Sequence, residues 1–236
     1  MSRRSKPPAL VIVLIAVVVV AVGAYAWWQR RPPPSGVSPE PPAVSVPADR
    51  IDPANEGRVV EVSGDLQVQA PARDSQLGVE ADASAMILVR EVEMRQWQEQ
   101  CSGEACSYRQ IWSSQLIDSS RFRQPESHRN PDRMPVTSAR FAAPDVRLGA
   151  FRIDAAAFDM VLRTRPVPFP VTSAKLPSNL AASFRDADGA LYTGDPAKPA
   201  VGDVRVRYRV VPAGRLTLTG IQRGDRLIPR KSTASP

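Results

Sequence analysis

Three kinds of hydrophobic and polar patterning succeed one another along the chain. From Ala9 to Trp28 (ALVIVLIAVVVVAVGAYAWW) no charged residue occurs. A helix of that length, at 1.5 Å per residue, spans about 30 Å, the thickness of a bilayer's hydrocarbon core. From Pro32 to Pro47 prolines dominate, which predicts a semi-rigid polyproline spacer. Beyond residue 50 short runs of alternating apolar and polar residues take over. They predict strands at Gly57–Gln69, Met86–Gln98, Ser107–Ile117, Asp203–Val211 and Arg215–Gln222, each bounded by Gly, Pro, Asp or Asn. A turn over Gln222–Arg226 leads to a last short strand near Leu227 and Ile228. Helical periodicity is scarce and its candidates are short, chiefly Asp154–Leu162, with Asp154 placed to cap it. The fold expected is α+β: a β-rich exported domain with short helices, preceded by one N-terminal transmembrane helix. Its parts are a basic tail (1–8), the membrane helix (9–28), a Pro-rich linker (29–49), the extracytoplasmic domain (50–230) and a disordered tail (231–236).

Charge sharpens this division. The chain of 236 residues has 31 basic and 24 acidic side chains, a formal +7. Arg3, Arg4, Lys6, Arg30 and Arg31 flank the apolar run, and no acidic residue lies before Glu40. The rest of the chain is close to neutral and its charges are mixed, which argues against nucleic acid as a partner. Tyr25, Trp27 and Trp28 sit where aromatic rings settle at a headgroup level. The competing reading is a cleaved secretory signal, with a basic start at Met1–Lys6 and a small-x-small site at Ala24-Tyr25-Ala26. Either reading exports the domain. The expected location is a single-pass inner (plasma) membrane protein whose bulk faces the extracytoplasmic or periplasmic side, with the bilayer itself as one partner.

Cys101 and Cys106 are the only cysteines and enclose Ser-Gly-Glu-Ala between two predicted strands. Paired across a hairpin they would lie at disulfide distance; free thiols remain the alternative. The C-x4-C spacing does not match a redox-active C-x-x-C, and two ligands do not build a structural zinc site, so no metal is expected.

Catalytic chemistry finds little footing. The single histidine, His128, lies in a proline-rich turn beside Ser127, and no G-x-S-x-G surrounds any serine. Phosphate-cradling glycine loops are absent, and no cofactor is expected. Glu91, Glu93 and Glu99 lie near Trp97, which leaves an acidic hydrolase of envelope material as an alternative. Arg205, Arg207 and Arg209 share one strand face, the basis of a third reading as an anion- or lipid-binding sensor. Trp97, Tyr108, Trp112, His128 and Asn130 are the candidate contacts for a protein partner, with core packing as the competing account of the aromatics.

Several strings together resemble the transmembrane protein 43 (LUMA) family: Asn55–Val60 (NEGRVV), Val92–Glu99 (VEMRQWQE), parts of Trp112–Phe122, His128–Pro131 with Met134-Pro135, Val146–Phe151 (VRLGAF), Gly202–Val206 and Gln222–Pro229 (QRGDRLIP). The resemblance implies a membrane helix followed by a large lumenal or periplasmic domain. It also implies a non-enzymatic scaffold that organises membrane or envelope protein complexes and self-associates. It carries no catalytic residues. Typical members continue into further apolar helices, and no second apolar run follows the domain here.

Overall fold

A computed structural model describes Tyr25, Trp27, residues 42–162 and residues 164–230. The chain divides into two units, Met1–Pro41 and Pro42–Pro236. In the first, Tyr25 and Trp27 are helical and exposed; the rest of the expected membrane helix and most of the linker lie outside the described residues. Among the described residues no helix is long and apolar enough to cross a membrane.

The second unit is β-rich. Its strands are β1 (Val44–Val46), β2 (Val59–Ala70), β3 (Arg73–Asp74), β4 (Val79–Glu80), β5 (Ala85–Ser102), β6 (Ala105–Ser113), β7 (Ala139–Ala142), β8 (Asp145–Leu148), β9 (Phe151–Ile153), β10 (Val167–Pro168), β11 (Arg185–Ala187), β12 (Ala190–Tyr192), β13 (Val204–Pro212), β14 (Arg215–Arg223) and β15 (Arg226–Pro229). Two short helices, α1 (Ala155–Leu162) and α2 (Ser178–Ala181), interrupt them.

One sheet closes on itself. β2 pairs with β14, then β15, β9 and β8 follow, and β8 returns to pair with the far half of β2. In this register Val60 lies opposite Gly220, Val62 opposite Leu218 and Leu148 opposite Phe151, so these residues share one face. They are buried, as expected for the interior of a small closed ring. The outer side chains of β2 and β14 are mostly polar, the Val59–Ile221 pair excepted, with Ser63 and Thr217 hydroxyls 2.7 Å apart.

The second sheet runs β11-β12-β13-β5-β6, with β7 and β10 at its flanks. The first half of β5 is buried on both faces, with Met86, Ile87, Leu88 and Val89 all inside. Helix α1 packs on β5, β7 and β15, so it spans both sheets. Asp154 caps it, accepting from the Ala157 N–H at 3.0 Å. The buried Asp159 holds Arg140 of β7 through two bonds of 2.7 Å.

The folded unit begins earlier than the expected boundary at residue 50. Val44–Val46 forms a parallel ladder with Val60–Val62. Just beyond it the Ala48 carbonyl accepts the Ala150 N–H at 2.7 Å. A three-residue strand in a proline-rich stretch shows too little alternation to stand out, and its partner in β2 is what orders it.

A charged knot crosses the second sheet. The β3–β4 hairpin delivers Asp74, fully buried, to Arg90 of β5 at 2.6 Å. Tyr208 of β13 donates to the same carboxylate oxygen at 2.6 Å, while the Gln76 and Leu77 N–H groups serve the other oxygen. The guanidinium also donates to the Thr137 carbonyl and to Gln76. Burial, then the bond to Asp74, pushes the Tyr208 phenol far above its ordinary range.

Candidate functional site

The sequence reasons for a contact site converge on the second half of β5 and on β6. β13 accompanies β5 only as far as Met94; from Met94 to Ser102 the strand pairs with β6. The hairpin turn is tighter than the four-residue loop expected, because Ser102 and Ala105 still pair and only Gly103 and Glu104 connect them. Gly103 has φ +62°, a conformation glycine adopts without a steric cost at the first central position of a two-residue hairpin turn. Cys101 and Cys106 are registered partners with Cα atoms 4.0 Å apart, joined by a disulfide. Glu99 lies near both sulfurs. Because those sulfurs are bonded to each other, the group is a poor metal site.

Strand alternation places Trp97, Glu99, Tyr108, Gln110 and Trp112 on one face of this hairpin. The segment after β6 folds back over that face. The His128 ring stacks on Tyr108 at 3.7 Å and meets Trp97 edge-on at 4.7 Å, and Phe122 lies 6.1 Å from Tyr108. His128 Nδ1 is 3.0 Å from Ser127 Oγ and 3.2 Å from the Gln124 carbonyl. Glu99 accepts from the Tyr108 hydroxyl and from the Arg123 N–H, both at 2.7 Å. These bonds, the Tyr108 one foremost, hold its carboxyl below the ordinary glutamate range; the same carboxylate, after burial, raises the Tyr108 phenol. Arg123 in turn donates to the Glu104 and Gly103 carbonyls of the turn.

Trp97, Tyr108 and His128 thus form one half-exposed aromatic group. Trp112 stands apart from it, half-buried, 4.6 Å below the Arg205 guanidinium and 5.8 Å from Tyr192. Asn130 is buried, 4% exposed, and its carboxamide is spent on the backbone of Trp97 and Ile117. Its carboxamide takes the backbone place that β13 vacates beside Trp97.

The acidic and basic residues considered for chemistry neutralise one another. Glu93 accepts two bonds from Arg205 and one, at 3.3 Å, from Arg207. Glu91 lies 3.8 Å from Arg209, whose guanidinium also donates to the Pro166 carbonyl. These residues do not form the facing carboxylate pair of a glycosidase, and the two guanidinium groups that do converge, those of Arg205 and Arg207, are spent on Glu93. The buried Asp74–Arg90–Tyr208 knot went unread in the sequence, although an arginine inside the apolar run Ala85–Val92 (AMILVREV) was its signal.

Two clefts of about 560 Å³ flank this architecture. One is lined by β8, β9, the start of α1 and β15, including Arg152, Asp154 and Arg226. The other lies in the loop after β6 among Asp118, Glu126, Arg129 and Asp132. There the Ser120 hydroxyl, then its N–H, hold the Asp118 carboxyl below its ordinary range. A smaller cavity of about 260 Å³, at the end of the closed ring, is lined by Asn55, Phe151 and Gln222.

Comparison with known proteins agrees with this arrangement of strings. Residues 90–235 match the sequence model of the family described as Transmembrane protein 43. Transmembrane protein 43 of Rattus norvegicus is 32% identical over 201 residues, covering 76% of this chain and 49% of the relative. The Homo sapiens protein is 31% identical over the same shares. The Drosophila melanogaster homolog is 24% identical over 198 residues, 74% of this chain and 49% of the relative. The chain therefore spans about half the length of the curated relatives it matches. No solved structure matches it significantly. On the family model and the identity to its curated members, the chain belongs to the transmembrane protein 43 family.

Proposed function

We propose that this chain is a membrane-anchored, non-catalytic binding module whose exported β-domain engages another membrane or envelope protein through the β5–β6 hairpin. Its family is one of membrane proteins. The observation that carries the reading is the bracing of a hairpin that outruns its own sheet. A disulfide closes the tip, a stacked histidine covers one face, and Asn130 ties down the edge left by β13. A projecting two-stranded ribbon is marginal by itself, so this much bracing suits a surface that must hold its shape for a partner. Half-exposed Trp and Tyr side chains are the types that anchor protein interfaces. The disulfide favours an oxidising, extracytoplasmic side.

The test is site-specific photocrosslinking of the full chain in its native membrane. A photoreactive side chain at exposed Ser107 is expected to give a discrete protein adduct that Tyr108→Ala abolishes. The same group at exposed Arg152, on the closed ring, is expected to give none. Absence of an adduct at Ser107, or equal adducts at both positions, overturns the reading.

A further inference from the structure

We infer that the outer edge of β6 is a docking site for an extended acidic peptide segment of a partner protein, which adds to the sheet as a further strand. The inference rests on the hairpin being the binding element, and it names the mode of binding and the partner's chemistry. In an antiparallel pair, residues alternate between those whose N–H and C=O groups point toward the partner strand and those whose groups point away. The Trp97 N–H and C=O both point away from β6, since Asn130 bonds them from the opposite side. Trp97 is registered with Gln110. Gln110 must therefore direct its own N–H and C=O away from β5, and by alternation so must Cys106, Tyr108 and Trp112.

Among the described residues β6 pairs with β5 alone and ends the sheet. The segment after β6 does not cover this edge. It passes beneath Gln96, whose side chain bonds the Gln115 carbonyl and the Ile117 N–H, and reaches the far side of β5 at Asn130. Four residues of backbone donors and acceptors are thus left in a row. An open row of this kind is a template for an added strand.

Charge selects the occupant. Arg109 lies on the edge strand itself, on one face of the hairpin, held by the neutral Gln98 at 2.9 Å; Arg95, one strand further in on β5 and on the other face, is held by Gln110 of the edge strand at 3.4 Å. The carboxylates on this part of the hairpin do not offset them: Glu93, on the Arg95 face, is taken by Arg205 and Arg207. Glu99 is taken by the Tyr108 hydroxyl and the Arg123 N–H, and Glu104 belongs to the turn beyond the ladder. An incoming strand whose Glu or Asp side chains fall on the Arg109 face would meet a guanidinium that no carboxylate pairs among the described residues. A second copy of β6 centred on Arg109 would instead set Arg109 against its twin, a like-charge opposition that weakens cross-strand pairing.

The experiment uses the full chain in lipid nanodiscs and three synthetic peptides of equal length: an alternating Glu/Val strand former, its Lys/Val counterpart, and the Glu/Val peptide N-methylated at alternate amides. Binding is read by NMR as hydrogen-exchange protection of the Cys106, Tyr108, Gln110 and Trp112 amides. The acidic peptide is expected to protect all four. The Lys peptide, the N-methylated peptide and the Arg109→Glu variant are each expected to bind at least tenfold more weakly. Equal binding of the acidic and Lys peptides, or undiminished binding of the N-methylated one, overturns the inference. So does protection of the four amides before any peptide is added, accompanied by a dimer in sedimentation. Failure of the peptides while the Ser107 adduct persists would remove strand addition and leave the hairpin as a binding element by its aromatic face.

Discussion

Asn130 serves Trp97 as a one-residue strand. Its carboxamide oxygen accepts the Trp97 N–H at 2.7 Å and its Nδ2 donates to the Trp97 carbonyl at 2.9 Å. Asn130 itself is held by the buried Ser119 hydroxyl, which accepts its N–H at 2.9 Å, and by the Ile117 carbonyl. A side-chain amide has the same donor and acceptor geometry as a peptide group, so it can finish a ladder where the neighbouring strand ends.

Replacing it strands both backbone groups. Asn130→Ala is expected to cost about 2 to 3 kcal/mol, the penalty of leaving buried polar groups unpaired. Asn130→Asp keeps the acceptor but sets a carboxylate oxygen against the Trp97 carbonyl, and is expected to be no better tolerated. Urea denaturation gives the magnitude. Amide exchange at Trp97 localises it, and unchanged protection there would refute the assignment.

The disulfide closes a loop of only a few residues, so its stabilisation is modest. Loop-closure entropy predicts a loss of about 2 kcal/mol for the paired Cys101→Ser and Cys106→Ser variant. Intact mass measured with and without reductant is expected to differ by two hydrogens. Thermal melting of the variant should retain a single cooperative transition, because the rest of the sheet does not depend on the tip.

Asp74 offers the largest single effect. Asp74→Ala leaves Arg90, whose side chain is 4% exposed, charged and without its counter-ion, which is expected to cost about 3 to 5 kcal/mol. Tyr208→Phe removes one donor from the same carboxylate and should cost about 1 to 2 kcal/mol. If denaturation showed Asp74→Ala to be milder than Tyr208→Phe, the knot would not be organised around the ion pair.

Glu99 sets a direction in pH. Its folded carboxyl is held below its unfolded value, so the stability it contributes is fully present above the ordinary glutamate range. That contribution is lost as pH falls through the depressed value. Removing the principal cause with Tyr108→Phe should raise the Glu99 midpoint toward an ordinary glutamate. A carbon-detected NMR titration of the carboxyl measures it, and an unmoved midpoint would show that the hydroxyl bond is not the cause.

Gly149 closes the β8–β9 turn at φ +60°, and a Cβ there would lie 2.1 Å from the Ala48 carbonyl oxygen. Gly149→Ala therefore combines a left-handed backbone with a clash against main chain. A loss of about 2 to 4 kcal/mol is expected. Calorimetry that found the variant as stable as the parent would mean the Ala48 segment does not pack on this turn.

Much of the strand plan was legible because alternation is a local property. β2, β5, β13 and β14 coincide closely with predicted runs, and Asp154 caps α1 as its position suggested. Short elements such as β1, β7 and β10 to β12 carry too few residues to show a period, and only their partners order them. Cys101 and Cys106 were legible as a registered pair because one hairpin brings them together. Asn130 was not legible as an inward residue. Its partner lies 33 positions earlier, and a proline-rich turn resembles an exposed loop wherever its end is buried.

What the sequence determined by itself was therefore the local grammar: which runs are strands, where charge is absent, and that the two cysteines lie where a single hairpin could pair them. Those features arise between near neighbours, where backbone periodicity and short loops leave few alternatives. Only the tertiary structure decided that β2 closes a ring with β8, that Asp74 buries against Arg90, and that β6 keeps an open edge. Those outcomes depend on how strands distant in sequence compete for hydrogen-bond partners and apolar cover, a competition settled only when the whole domain packs.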